Sequence, residues 1–404
     1  MKIGVLKETK VPADFRVPFT PAQLVTLQQE YGIECVIQPS ENRCYKNSEY
    51  MDAGIKLQDD LLDCDILFGV KEVPIKNLIP SKAYVFFSHT IKEQVHNQSL
   101  MHALIEKNIT MIDYETLTDD SGKRVVAFGR EAGIVGAYNA IKVYGEKSNK
   151  FKLPQAHTLD DMEHLFEIVS NVPHLNIRVV NTGRGGRVSS GSVEVFEKVG
   201  LKSVSPQEYL NGTGTGVYTV LAPKDYIKRT DGSEIVESDF FADPSDFESA
   251  FLQYAGISDM YVSGHFWDSR SSVFFEMKDI KDKDTFAISI ISDVSCDLAS
   301  GDAPMPIPTT LRETKLDNIA FDVCRKSGME KPAFENGDNI TITAVDNLPS
   351  SIPRDASHAF GTALLTYVMP FIINGDDGRI HRATICFEGK LGERYKYLKE
   401  YAGL

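Results

Sequence analysis

Three absences bound what this chain can be. It lacks a basic excess: 57 acidic against 43 basic side chains leave a formal net charge of −14. Phosphate backbones need a basic face, so nucleic acid is not expected as a partner. It lacks any Cys-x-x-Cys pair. The six cysteines, Cys35, Cys44, Cys64, Cys296, Cys324 and Cys386, are scattered, and neither a disulfide framework nor a metal site is readable from them. A reducing compartment, the cytoplasm, is the expectation. It also lacks a membrane span and a signal or transit pattern, because residues 1–6 run straight into a strand pattern. The expected partners are small molecules, and the oligomeric state is not readable.

What is present is a soluble globular composition, 42% hydrophobic and 25% charged, over 404 residues, enough for two domains of ordinary size. The negative surface repels anions. A carboxylate ligand must therefore be held by a local cationic pocket.

Short apolar runs alternate with helical periodicity, the pattern of a doubly wound sheet. Residues 2–6 and 33–37 read as strands. Thr20-Pro21 reads as an N-cap with proline at the first helical position, and Gly32 as the helix stop. Residues 66–70 and 83–87 are continuous hydrophobics, the signature of buried parallel strands. Residues 95–107 read as a helix, and 110–112 as a strand. Residues 123–145 read as a short strand and then a long interdomain helix thinned on one face by Gly133 and Gly136. Residues 146–157 are polar and expected to be mobile; Thr158, with Asp160 and Asp161, reads as a helix start. Further along, 176–180, 260–263, 286–291 and a final 340–345 read as strands, 207–256 as polar and irregular, and 300–312 as a proline-rich loop. Helices are expected over 355–373 and near 389–402.

Ligands of open α/β sheets lie outside the carboxyl ends of the strands. Lys71 and His89 stand at two such ends, and a lysine and a histidine sharing one crevice can divide acid and base work. Asp293 and Ser295 follow the 286–291 strand in the same way. After the 176–180 strand comes a glycine-rich turn, Gly183-Arg184-Gly185-Gly186-Arg187-Val188, opening a helix. A strand, a glycine turn and a helix make a phosphate site. Gly183 and Gly185 fit the dinucleotide fingerprint, while Val188 stands at its third glycine; a plain tight turn is the competing reading. The acidic residue that would hold the ribose hydroxyls is missing from 202–206, which favours NADP(H) over NAD(H).

The run Ala83–Lys92, Asp113-Tyr114-Glu115, residues 122–129, Lys71-Glu72, Lys10 with Arg16, residues 293–297 and residues 345–354 together resemble the lysine–ketoglutarate reductase half of the bifunctional lysine-degrading enzymes. They also resemble the L-lysine-forming saccharopine dehydrogenases, within the wider group of alanine dehydrogenase and the transhydrogenase α subunit. The resemblance implies two Rossmann-like, doubly wound α/β domains with the active site in the interdomain cleft. Residues 1–130 with 355–404 would form the substrate domain, and 131–354 the dinucleotide-binding domain. It implies reversible, nicotinamide-dependent condensation of L-lysine with 2-oxoglutarate to saccharopine. Lys71 and His89 would be the acid–base pair. Arg16 and Gln94 would bind substrate, Phe128 would lie beside it, and Lys10, Glu72 and Glu115 would tune the charge of the site and of Lys71. Lys123, Gly186, Arg187, Phe266, Asp346, Asn347 and Leu348 match cofactor-contacting positions. An opine-type or alanine-type dehydrogenase stays open, as does a cofactor-binding regulatory protein.

Overall fold

The computed structural model describes residues 1–404 except 12, 269, 296–313 and 336. The proline-rich 300–312 stretch, Cys296 and Asp297 lie outside the described residues. The chain divides into two compact units, Met1–Phe128 with Pro353–Leu404, and Gly129–Ile352.

In the first unit, β1 (Lys2–Val5), β2 (Glu34–Ile37), β3 (Lys56–Leu57), β4 (Ile66–Phe68), β5 (Ala83–Phe86) and β6 (Thr110–Asp113) form a parallel sheet in the order β3-β2-β1-β4-β5-β6. The order reverses between β1 and β4. That is the switch point where such sheets open a crevice. The helix Pro21–Tyr31 forms as its signals require. Thr20 Oγ1 accepts from the Gln23 amide, Gln23 Oε1 accepts from the Thr20 amide, and Gly32 ends the helix at φ +65°. The C-terminal segment departs from expectation. The helix Pro353–Tyr367 is there, followed by Met369–Ile373, but 389–402 is no helix. Thr384–Phe387 and Lys390–Leu391 add antiparallel edge strands beside β6, and Glu393–Leu398 is a 3-10 turn. The strand at 340–345 is therefore not the last. No strand forms over 123–128; only a single bridge joins Thr118 and Arg124.

In the second unit, β7 (Arg178–Thr182) lies between Met260–Ser263 and β9 (Val217–Leu221), with β8 (Lys202–Ser203) outside β9. β9 corrects the reading of 207–256 as irregular. It is a buried parallel strand inserted between β7 and β8, its run hidden behind the turn-like Gly212-Thr-Gly-Thr-Gly216. On the other side Met260–Ser263, Ile290–Asp293 and Ile340–Thr343 continue the parallel sheet, and Ala320–Val323 and Glu330–Pro332 close it antiparallel.

The long helix Gly129–Lys147 belongs to this second unit. It packs backbone to backbone on the helix Arg187–Lys198. A Cβ on Gly133 would stand 1.8 Å from the Val188 carbonyl oxygen, and one on Gly191 would stand 2.0 Å from that of Arg130. Residues 146–157 are fixed rather than loose, since Leu153 and Ala156 are buried and Tyr138 donates to the Pro154 carbonyl at 2.9 Å. The next helix, Met162–Ser170, starts one turn later than Thr158 suggested. Asp161 is its cap, accepting from the His164 amide at 2.8 Å.

Candidate active site

At the switch point of the first unit the loops after β1, β4 and β5 converge. β4 and β5 are hydrogen-bonded neighbours, and each carries its candidate residue three positions past its last strand residue: Lys71 and His89. The loop after β5 is anchored from β6. Buried Asp113 accepts from the Ser88 amide at 2.9 Å and, at its other oxygen, from the Glu115 amide at 2.7 Å. With Ser88 pinned, His89 adopts φ +54°, a left-handed backbone unusual for a side chain of this size, and its ring stacks on Phe87.

His89 Nδ1 is hydrogen-bonded to Glu72 Oε1. Burial alone would raise the Glu72 carboxyl, but the bond to His89 and its charge bring it down to about 2. Glu72 is thus an anion that accepts from Nδ1–H and leaves Nε2 as the nitrogen that can take or give a proton. Lys71 is pushed the other way. Burial lowers its pKa, the positive charges of Arg16 and Lys10 lower it further, and Asp14 and Glu72 offset this only in part. Glu115 pairs with Lys92 at 3.2 Å and Arg124 at 3.4 Å.

Arg16 is buried and held by Asp14 through two hydrogen bonds, Nε to Oδ1 at 2.9 Å and Nη2 to Oδ2 at 2.6 Å. Its guanidinium lies 4.1 Å from the centre of the Phe128 ring, and that ring stacks on Phe360. Clamped on one edge and supported below, it leaves Nη1 for a carboxylate. Lys10 is exposed nearby on the same loop. Gln94 is exposed, its backbone carbonyl taken by Tyr401. Lys123 is exposed on the 119–124 turn, its amide bound to Asp119.

Sequence reasoning missed two residues here, Glu8 and Asp14. Glu8 stands just past β1, and its carboxylate accepts from the amides of Val70 at 2.7 Å and Lys71 at 3.0 Å. Burial raises its pKa to about 7 against those stabilising bonds. The rule that singled out Lys71, a titratable group at a strand's carboxyl end, also applies to Glu8. A pocket of about 290 Å³ opens here, with Glu8, Lys71 and Glu72 in its wall.

In the second unit the turn after β7 has the features of a phosphate cradle. Gly183 sits at φ +93°, and a Cβ there would stand 2.3 Å from the Gly264 carbonyl oxygen; Gly185 is at φ +80°. Gly186, which has no side chain to cap it, is the N-cap of the helix Arg187–Lys198. A helix start, a turn that only glycine fits and the neighbouring strand ends suit a dinucleotide pyrophosphate. The other residues differ in what they offer. Phe266 is 85% exposed. Asp293 is buried and accepts from Ser263 and Ser295. Asp346 is exposed, Asn347 turns the chain at φ +60°, and the Leu348 side chain is buried in the core of this unit, leaving only its backbone for a ligand.

Comparison with known proteins bears on the fold and the relatives of this chain. Residues 4–135 match the family described as alanine dehydrogenase/PNT, N-terminal domain. An L-alanine dehydrogenase structure superposes over 98% of this chain and 99% of its own, with TM-score 0.65 at 15% identity. By fold the chain is thus an alanine dehydrogenase-like protein of two Rossmann-like α/β units. Alpha-aminoadipic semialdehyde synthase of Arabidopsis thaliana is 26% identical over 98% of this chain and 41% of its own length. The Bos taurus mitochondrial protein of that name is 27% identical over 95% of this chain and 46% of its own. The chain therefore spans less than half the length of these relatives. Saccharopine dehydrogenase [NAD(+), L-lysine-forming] of Yarrowia lipolytica is 26% identical over 90% of both chains. Both groups of relatives carry the names that the sequence motifs pointed to.

Proposed function

We propose that this chain catalyses the reversible reductive condensation of L-lysine with 2-oxoglutarate to saccharopine, using NADP(H) in preference to NAD(H). The observation that supports the chemistry is at the ends of the neighbouring strands β4 and β5: a lysine with a lowered pKa follows one, and a histidine whose Nδ1 is bound to an ionised glutamate follows the other. The names of the relatives supply the substrates.

The lysine ε-amine must lose its extra proton before it attacks the ketone, and His89 Nε2 is the acceptor. Attack forms the C–N bond and a carbinolamine. Its hydroxyl leaves as water once protonated, and Lys71 is the donor, because burial and its cationic neighbours favour giving the proton up. The resulting imine is reduced at the former ketone carbon. A nicotinamide cofactor would supply hydride in this direction and take it back in the other, and the turn Gly183–Gly186 with the start of the helix at Arg187 would hold it. Arg16, with Lys10 beside it, binds carboxylates of the keto acid and of saccharopine. This meets the demand for a local cationic pocket on a chain of charge −14.

The test is oxidation of NADPH with lysine and 2-oxoglutarate together against each alone. Turnover only with both supports the reading. Turnover with another amine or keto acid in a panel would move the assignment to an opine-type or alanine-type dehydrogenase.

A further inference from the structure

The strand next to β7 in space is not the next one in sequence. After the helix Arg187–Lys198 the chain makes the short β8, yet β9 takes the place beside β7. In a dinucleotide fold the group that reads the adenosine ribose stands at the carboxyl end of that neighbouring strand. Here this is Leu221-Ala222-Pro223-Lys224-Asp225, and not 202–206.

The end of β9 is tied to the glycine turn. The Leu221 carbonyl accepts from the amides of both Gly183 and Arg184 at 3.0 Å. The Arg184 side chain lies over the same end, with Nε donating to the Val220 carbonyl at 2.9 Å. A carboxylate is present, Asp225, and one of its oxygens, Oδ2, is taken up within the loop. It accepts from the Ala222 amide at 2.8 Å and lies 3.4 Å from Arg184 Nη2. Lys224, between them in the loop, is exposed, and its ammonium is in no ion pair among the described residues. Glu237 reaches only the Lys224 backbone amide, at 3.4 Å. A ribose 2′-hydroxyl would want a free carboxylate here, whereas a 2′-phosphate would want cations.

We propose that Lys224 and Arg184 form the 2′-phosphate site of a bound NADP(H), with Asp225 positioning Arg184 rather than binding ribose. This deepens the cofactor part of the proposed function and rests on it. Its test needs no turnover. The full chain is titrated by calorimetry with 2′,5′-ADP and with 5′-AMP. Wild type binds 2′,5′-ADP at least about tenfold more tightly, the order of one charge-assisted hydrogen bond. Lys224→Glu removes that difference and leaves 5′-AMP binding unchanged; Lys224→Ala, a milder change on an exposed side chain, reduces it. In kinetics the same variants lower kcat/KM for NADPH and spare NADH. Equal binding of the two nucleotides by wild type, binding of neither, or a preference that survives both substitutions overturns the proposal. Tight 2′,5′-ADP binding without lysine-dependent turnover would instead overturn the substrate assignment and leave this site standing.

Discussion

The Glu8 carboxylate accepts a hydrogen bond from the backbone amide of Lys71 at 3.0 Å, joining the end of β1 to the end of β4 across the switch point. A second bond, from Val70 at 2.7 Å, makes the grip two-pronged. Lys71 is thus held by its backbone, while its side chain answers to the charges of Arg16, Lys10, Asp14 and Glu72.

That grip depends on pH. Burial raises the Glu8 carboxyl from the ordinary 4.5 to about 7, so the folded chain keeps a proton that the unfolded chain releases. A carboxyl with a raised pKa stabilises the fold most at low pH, and its contribution declines as pH rises from about 4.5 through about 7. Glu8→Gln does not titrate. Its melting temperature minus that of wild type is expected to grow across that window and to level off above it. A constant offset in thermal melts at several pH values would refute this.

Lys71→Met and His89→Gln are each expected to lower kcat by about a hundredfold or more, the usual weight of a general acid or base. Nucleotide affinity should hardly change, because the glycine turn is in the other unit. Steady-state kinetics combined with nucleotide titration checks both halves. Near-normal kcat in both variants would remove the acid–base assignment.

Arg16→Lys loses the two-pronged bond to Asp14 and the seat on Phe128. The KM for the keto acid is expected to rise about tenfold or more, with a smaller change in kcat. Arg16→Gln removes a charge that depresses Lys71, so the Lys71 pKa should rise. The alkaline limb of the pH–rate profile is its readout, and it should move to higher pH.

Gly183→Ala and Gly185→Ala separate strain from collision. Both positions have positive φ, which costs an alanine about 1–2 kcal/mol. Only at Gly183 would the new carbon also meet a backbone oxygen, at 2.3 Å. Gly183→Ala should therefore melt lower than Gly185→Ala and lose more nucleotide affinity. Equal losses in melting and titration would show that the close approach to Gly264 has no consequence.

The elements that sequence made legible were those with local signals. Thr20, Pro21 and Gly32 bracket a helix through bonds made within a few residues. The apolar runs before Lys71 and His89 are strands because nothing else buries both faces of so short a segment. Other features hid because their causes are distant. Residues 217–221 follow three glycines that look like a loop, and only pairing with β7 makes them a strand. Asp161 beats Thr158 as a cap through one bond to His164. Glu8 looked like one more charge in a polar loop until the amides of residues 70 and 71, more than sixty positions away, closed on it.

The insertion of β9 has a practical consequence for redesign. Grafting the loop that follows the first turn-helix pair, the usual way to exchange nicotinamide preference by sequence comparison, would here edit an outer edge one strand too far from the turn. With the 2′-phosphate site proposed above, the positions to exchange are 222–225, encoded some twenty residues downstream, and a pairwise alignment anchored on strand count would skip them.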